Sequence, residues 1–177
     1  PSYFDFCVNR DEKNGDFLEV FLIAESEFML ASSSGPYGIA AMFDIPTLIT
    51  NIAPYSGGYS KYGRYIPKKI IQHGQLLNFM DVCNGQTLSP DSEKPILLTF
   101  SGETFSKHGI SYIDNSVEEL LEATIEFEKI VKDKIIDATF TREQLAHQAL
   151  LPENYIYKRS NIVISDCFLN QNKELFC

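Results

Sequence analysis

Residues 16–51 read DFLEVFLIAESEFMLASSSGPYGIAAMFDIPTLITN, and the fold class turns on how this stretch divides. Asp16 offers an N-cap and Glu19 stands three residues later, the spacing of a capping box. Phe17, Leu18, Phe21 and Leu22 then recur at helical spacing, while Val20, Ile23 and Ala24 widen the apolar face, so a largely buried helix is predicted. Residues 27–31 (EFMLA) form an apolar run too short for a helix and suited to a central parallel strand. The small polar turn Ser32-Ser33-Ser34-Gly35-Pro36 interrupts the pattern. Residues 37–43 resume it as a helix, with Ala40 and Ala41 small enough to sit close against a sheet. Asp44 ends that helix, Pro46 holds Ile45 extended, and residues 47–50 (TLIT) read as the next buried strand. With residues 2–8 (SYFDFCV) taken as a first strand, residues 3–50 spell β-α-β-α-β. That order predicts an α/β fold, a Rossmann-like open parallel sheet with helices on both faces.

Outward from this core the pattern is looser. Residues 51–65 (NIAPYSGGYSKYGRY) are rich in glycine and tyrosine without a period and read as a functional loop leaving a strand end. A second irregular stretch covers residues 83–95. Residues 66–71 return to order, residues 76–82 read as a short helix or turn, residues 96–100 as a strand or a turn-bounded apolar patch, and residues 109–113 as a short strand. Asp114-Asn115-Ser116 caps a long helix from Val117, with Leu120, Leu121, Ala123, Phe127 and Ile130 inward and Glu118, Glu119, Glu122, Glu126 and Glu128 toward water. Thr141 and Gln144 repeat the capping-box spacing, and residues 166–176 suggest a terminal helix. No internal repeat or linker divides the chain, so one domain is expected over residues 1–177.

The chain holds 15 Lys and Arg against 24 Asp and Glu, a formal charge of -9. That balance argues against non-specific binding to nucleic acid or acidic membranes. No run reaches the length of a membrane span, and no basic segment precedes an apolar one at the N-terminus. These features, with cysteines at 7, 83, 167 and 177 outside any paired metal spacing, lead us to expect a cytoplasmic protein without a metal site.

The serine-rich turn is the leading candidate site. Ser32, Ser33 and Ser34 bring hydroxyls, Gly35 permits close backbone approach, and a following helix would aim N–H groups at an anion. An ordinary small-residue helix cap is the alternative. The turn has neither the Walker phosphate-loop spacing nor the dinucleotide fingerprint, and no nucleophile elbow supports a serine nucleophile. Asn51 could bond a substrate or simply cap a turn. Lys68 could pair with a phosphate, as could Arg64 less strongly, although exposed cations are common. The tyrosines at 55, 59, 62 and 65 could stack on a sugar or pack the loop. Glu25 and Glu27 read as solvated acids, and His73, His108 and His147 as surface or loop histidines.

Several short motifs, in order, resemble the donor-side domain of bacterial surface-polysaccharide glycosyltransferases, which have two Rossmann-like domains facing a cleft. They are Glu19-Val20-Phe21-Leu22, Ser34-Gly35, Asp44-Ile45-Pro46, Asn51-Ile52-Ala53-Pro54, Ile66-Pro67-Lys68, Asp114-Asn115-Ser116-Val117-Glu118-Glu119-Leu120, and the closing Phe168-Leu169 and Glu174-Leu175. Glu19 and Asp44 depart from the aspartate and glycine expected there. The resemblance implies the C-terminal half of a GT-B-type enzyme, with a nucleotide sugar as donor substrate and no further cofactor. Ser32, Ser33, Ser34, Gly35, Asn51 and Lys68 would hold the donor, and no catalytic residue is assigned. Transfer would need a second, acceptor-binding domain or a partner chain. The rival reading is a non-catalytic Rossmann-like module that binds an effector or a partner, a homodimer among them, or a truncated relative without activity.

Overall fold

The computed structural model describes residues 14–32, 34–53, 62–83, 102–135, 140–151 and 161–176. The expected strand at 2–8, Asp5, Ser33, Tyr55, Tyr59, the irregular stretch from residue 84 onward and the apolar run at 96–100 lie outside them.

The first elements follow the predicted order. Helix α1 (Gly15–Ala24) leads to strand β1 (Met29–Ser32), helix α2 (Pro36–Met42) and strand β2 (Thr47–Ile52). The capping box expected at Asp16 is absent: the helix starts two residues earlier, with Asn14 at the cap position and Asp16 inside the first turn. Helix α2 ends in a Schellman motif, in which Asp44 N–H donates to Ala41 and Ile45 N–H to Ala40. Asp44 adopts φ 56°, the left-handed conformation that glycine takes most readily.

Residues 51–65 do not form one long loop. Asn51 and Ile52 complete β2, and β3 (Tyr62–Pro67) is a further parallel strand. Its sequence, YGRYIP, has few β-branched residues, which hid it. What makes it a strand is its neighbour: a Cβ at position 63 would overlap the Thr47 carbonyl oxygen, so only glycine lets β3 lie against β2. The sheet closes with β7 (Asn161–Ile164), giving four parallel strands in the order β1-β2-β3-β7. Helices flank both faces, a Rossmann-like α/β arrangement.

Between β3 and β7 the chain builds a second, antiparallel sheet from β4 (Lys69–Gln72), β5 (Gln75–Leu76) and β6 (Ile110–Ile113), in the order β5-β4-β6. Helices α3 (Phe79–Cys83), α4 (Gly102–Lys107), α5 (Val117–Lys132) and α6 (Arg142–Leu150) belong to this excursion. Helix α7 (Asp166–Gln171) and a 3₁₀ turn (Lys173–Leu175) follow β7. One apolar core joins both sheets, with Leu48, Ile49, Ile66, Ile70, Phe127 and Phe168 among its buried members. At roughly 2–3 kcal/mol for each large side chain removed from water, this core is the main source of stability.

Both later capping boxes form as predicted, at Ser116 with Glu119 and at Thr141 with Gln144. The glutamates of α5 divide differently from the expectation. Glu119 is buried, and Glu126 is half-buried and turned inward. Leu121, assigned to the core face, is exposed. His147, read as a surface residue, is buried, as is Arg64.

Candidate functional site

The parallel register fixes where the chosen residues meet. Ser32 at the end of β1 pairs with Thr50, and Ile52 at the end of β2 pairs with Pro67 at the end of β3. Ser32, Asn51 and Lys68 therefore stand along the carboxyl edge of three adjacent strands, which neighbour one another at about 4.8 Å. In open α/β sheets this edge is where ligands sit. Ser34 and Gly35 follow Ser32 and are exposed. Ser33 is outside the described residues.

The turn itself is open. Ser34 N–H and Oγ both donate to the Ser32 carbonyl, at 2.7 and 3.4 Å. Gly35 has φ −50°, and a Cβ there would meet nothing within 4 Å. Glycine is thus not required for packing, and its place leaves room for something outside the fold. Helix α2 offers fewer donors than expected. Pro36 has no N–H, and Gly38 N–H turns back to the Gly35 carbonyl at 3.0 Å.

Asn51 and Lys68 are already engaged within the chain. Asn51 has φ 51° and forms a reciprocal pair with Asn115: each backbone N–H donates to the other's Oδ1 at 2.7 Å. Asn115 Nδ2 also donates to the Pro67 carbonyl at 2.8 Å. The Asn51 carbonyl oxygen therefore has a structural role, locking the strand ends to the start of α5. Lys68 pairs with the exposed Asp114 at 2.5 Å, and Lys69 with the buried Glu119 at 2.7 Å.

At the far end of the same edge, β7 feeds α7 beside a buried cation. Arg64 is 2% exposed. It donates from Nη1 to the Gly63 carbonyl at 3.0 Å and lies over the Phe140 ring, while its Nε has no partner among the described residues. Burial lowers its pKa, an effect opposed by Glu126 and Asp166. These residues line a cavity of about 170 Å³ with Thr141, Gln144 and Cys167. Both carboxylates are engaged within the chain. Glu126 accepts from Ser165 Oγ and from the Asp166 and Cys167 N–H groups, closing the N-terminus of α7; Asp166 accepts from Thr141 Oγ1 and Asn170. One cation faces two acids that already fill the place of an external anion, so this pocket is an internal network of net negative charge. Cys167 is no nucleophile: burial and the Glu126 carboxylate push its thiol up to about 12.

A larger cavity, about 390 Å³, lies between α6 and α7 and is lined by Ala146, His147, Leu150, Leu169 and Phe176 among others. His147 Nε2 is 3.0 Å from the Tyr65 hydroxyl, and its Nδ1 has no partner among the described residues. Burial pushes the imidazole down to about 4, so it is neutral at ordinary pH. Neither cavity includes Ser32, Asn51 or Lys68. Among the described residues no three His, Cys, Asp or Glu side chains gather as a metal site, and no helix is long and apolar enough to cross a membrane.

Searches of protein-family models, of curated proteins and of solved structures gave no match to this chain. The Rossmann-like architecture therefore rests on the strand order and helix placement themselves. Sequence reasoning missed the Asn115 and Asp114 partners of Asn51 and Lys68. The Asp114-Asn115-Ser116 run had carried a signal, read only as a helix cap.

Proposed function

We propose that the chain is a nucleotide-sugar donor-binding domain of the glycosyltransferase kind, working in the cytoplasm in surface-polysaccharide synthesis. The supporting observation is the alignment of Ser32, Asn51 and Lys68 on the carboxyl edge of adjacent parallel strands, next to the open Ser34–Gly35 turn. The serine hydroxyls would donate to the diphosphate. Lys68 would exchange its single carboxylate partner, Asp114, for a more highly charged phosphate. The Asn115 clamp would hold Asn51 in place, leaving its amide Nδ2 for a phosphate or sugar oxygen. This site forms one wall of a cleft, and sugar transfer would need the acceptor-binding wall from another domain or chain. Stabilising the departing nucleoside diphosphate is the chemistry assigned to this side.

Titration calorimetry with UDP, GDP, ADP and CMP tests the reading. One nucleotide should bind saturably. The paired change Ser34→Ala and Gly35→Val should abolish that binding without unfolding the chain, since position 35 has ordinary φ and free space. Lys68→Ala should weaken binding about tenfold, as expected for a lost charge-assisted contact. Absence of binding by all four nucleotides would overturn the proposal.

A further inference from the structure

Helix α5 carries apolar residues well beyond the face it turns to the core. Its inner face contributes Ala123 and Phe127 to the core. Its outer face carries Val117, Leu121 and Ile125, which are 75, 58 and 56% exposed. Three apolar side chains at i, i+4 and i+8 make a continuous stripe along a helix. A solvent face usually carries polar groups at such positions, and grouped exposed apolar surface marks an interaction site.

The charges beside the stripe indicate what covers it. At about 100° per residue, Glu118 and Lys129 fall on the same flank, one near each end. Each is exposed, and neither is in an ion pair among the described residues. When two copies of one helix pack antiparallel about a two-fold axis, like flanks meet and opposite ends align. With Leu121 seated on the partner's Ile125, Lys129 comes level with the partner's Val117 and beside the partner's Glu118. Two-fold symmetry makes the reverse contact as well. Glu118 comes level with the partner's Glu128, whose charge is already held by Lys132 at 2.6 Å within its own helix.

We propose that a second copy of this chain covers the outer face of α5, forming an antiparallel two-fold dimer centred between Leu121 and Ile125. The proposal is independent of nucleotide binding, because it uses none of the residues of the sheet edge. The stripe is short beside a standard interface of about 800 Å² per partner. The dimer should accordingly dissociate in the micromolar range.

Sedimentation equilibrium on the whole chain across that range provides the test. The expected result is reversible monomer–dimer behaviour, with Leu121→Glu and Ile125→Glu together raising the dissociation constant at least tenfold at unchanged thermal stability. Charge exchange tests the orientation without altering the stripe. Glu118→Lys and Lys129→Glu should each weaken self-association, and an equimolar mixture of the two variants should associate more tightly than either alone. A chain that stays monomeric at every concentration overturns the proposal. So does a dimer insensitive to the stripe variants, or a mixture no tighter than its components.

Discussion

Gly63 and Arg64 are neighbours on β3 with opposite problems. The glycine is needed because its strand approaches β2 too closely for any side chain. Gly63→Ala should therefore cost about 3 kcal/mol, the upper part of the range for forced overpacking, read from chemical denaturation. Arg64 is instead a long cation whose charge is answered by acids it does not touch in a direct ion pair. Removing Glu126 would strip Ser165 Oγ and two N–H groups of their acceptor and leave the arginine under-compensated. Glu126→Ala should thus destabilise by about 3 kcal/mol, more than Arg64→Met does, because among the described residues the arginine makes one hydrogen bond. His147 sets the acid response. Its imidazole takes up a proton near 6.5 in the unfolded chain and near 4 in the folded one. Between those values the unfolded state binds more protons. Stability is therefore full above pH 6.5 and should decline by up to about 3 kcal/mol as the pH falls to 4. Unfolding curves across that interval check this, and His147→Phe should flatten the slope.

Among the elements, those with local signals were legible. The small-residue helix α2, the short apolar strands beside it and the boxes at Ser116 and Thr141 each depend on residues within a few positions. Strand β3 depends on Thr47 and on acids about 60 and about 100 positions further along, so its first four residues, YGRY, read as loop. Strand β6 was visible, but its antiparallel pairing with β4 was not, because pairing partners are not encoded in one strand's composition. The same division holds for the candidate site. That Ser32 and Asn51 follow strand ends was readable from an α/β order; that Lys68 follows a third parallel strand was not. That Asn51 is bound by Asn115, 64 positions away, was not readable either. Helix ends show a further case. At the close of α5, Lys134 N–H donates to Val131 and Ile135 N–H to Ile130, a second Schellman motif with lysine at φ 54°. No glycine announced it. Lys134→Gly should stabilise the chain by about 1 kcal/mol by relieving the left-handed strain, measured as a raised denaturation midpoint.

At the level of the whole molecule, the antiparallel sheet, helix α5 and the 172–175 turn meet at Glu119. Burial alone would raise its carboxyl, but the bonds from Lys69, the Ser116 N–H and Asn172 outweigh that and hold it below the ordinary value. Lys69 belongs to the antiparallel sheet, Ser116 to the start of α5, and Asn172, 53 positions on, to the final turn. Hydrogen exchange should consequently show β4, the first turn of α5 and the 172–175 turn opening together, and Asn172→Ala should speed exchange in all of them. Independent exchange of that turn would contradict the coupling. The practical meaning reaches the bench. The 172–175 turn acts as a keystone, so a purification handle spliced in after Gln171 would withdraw a donor from a buried acid 53 positions earlier in the sequence. The damage would surface as poor yield of soluble material.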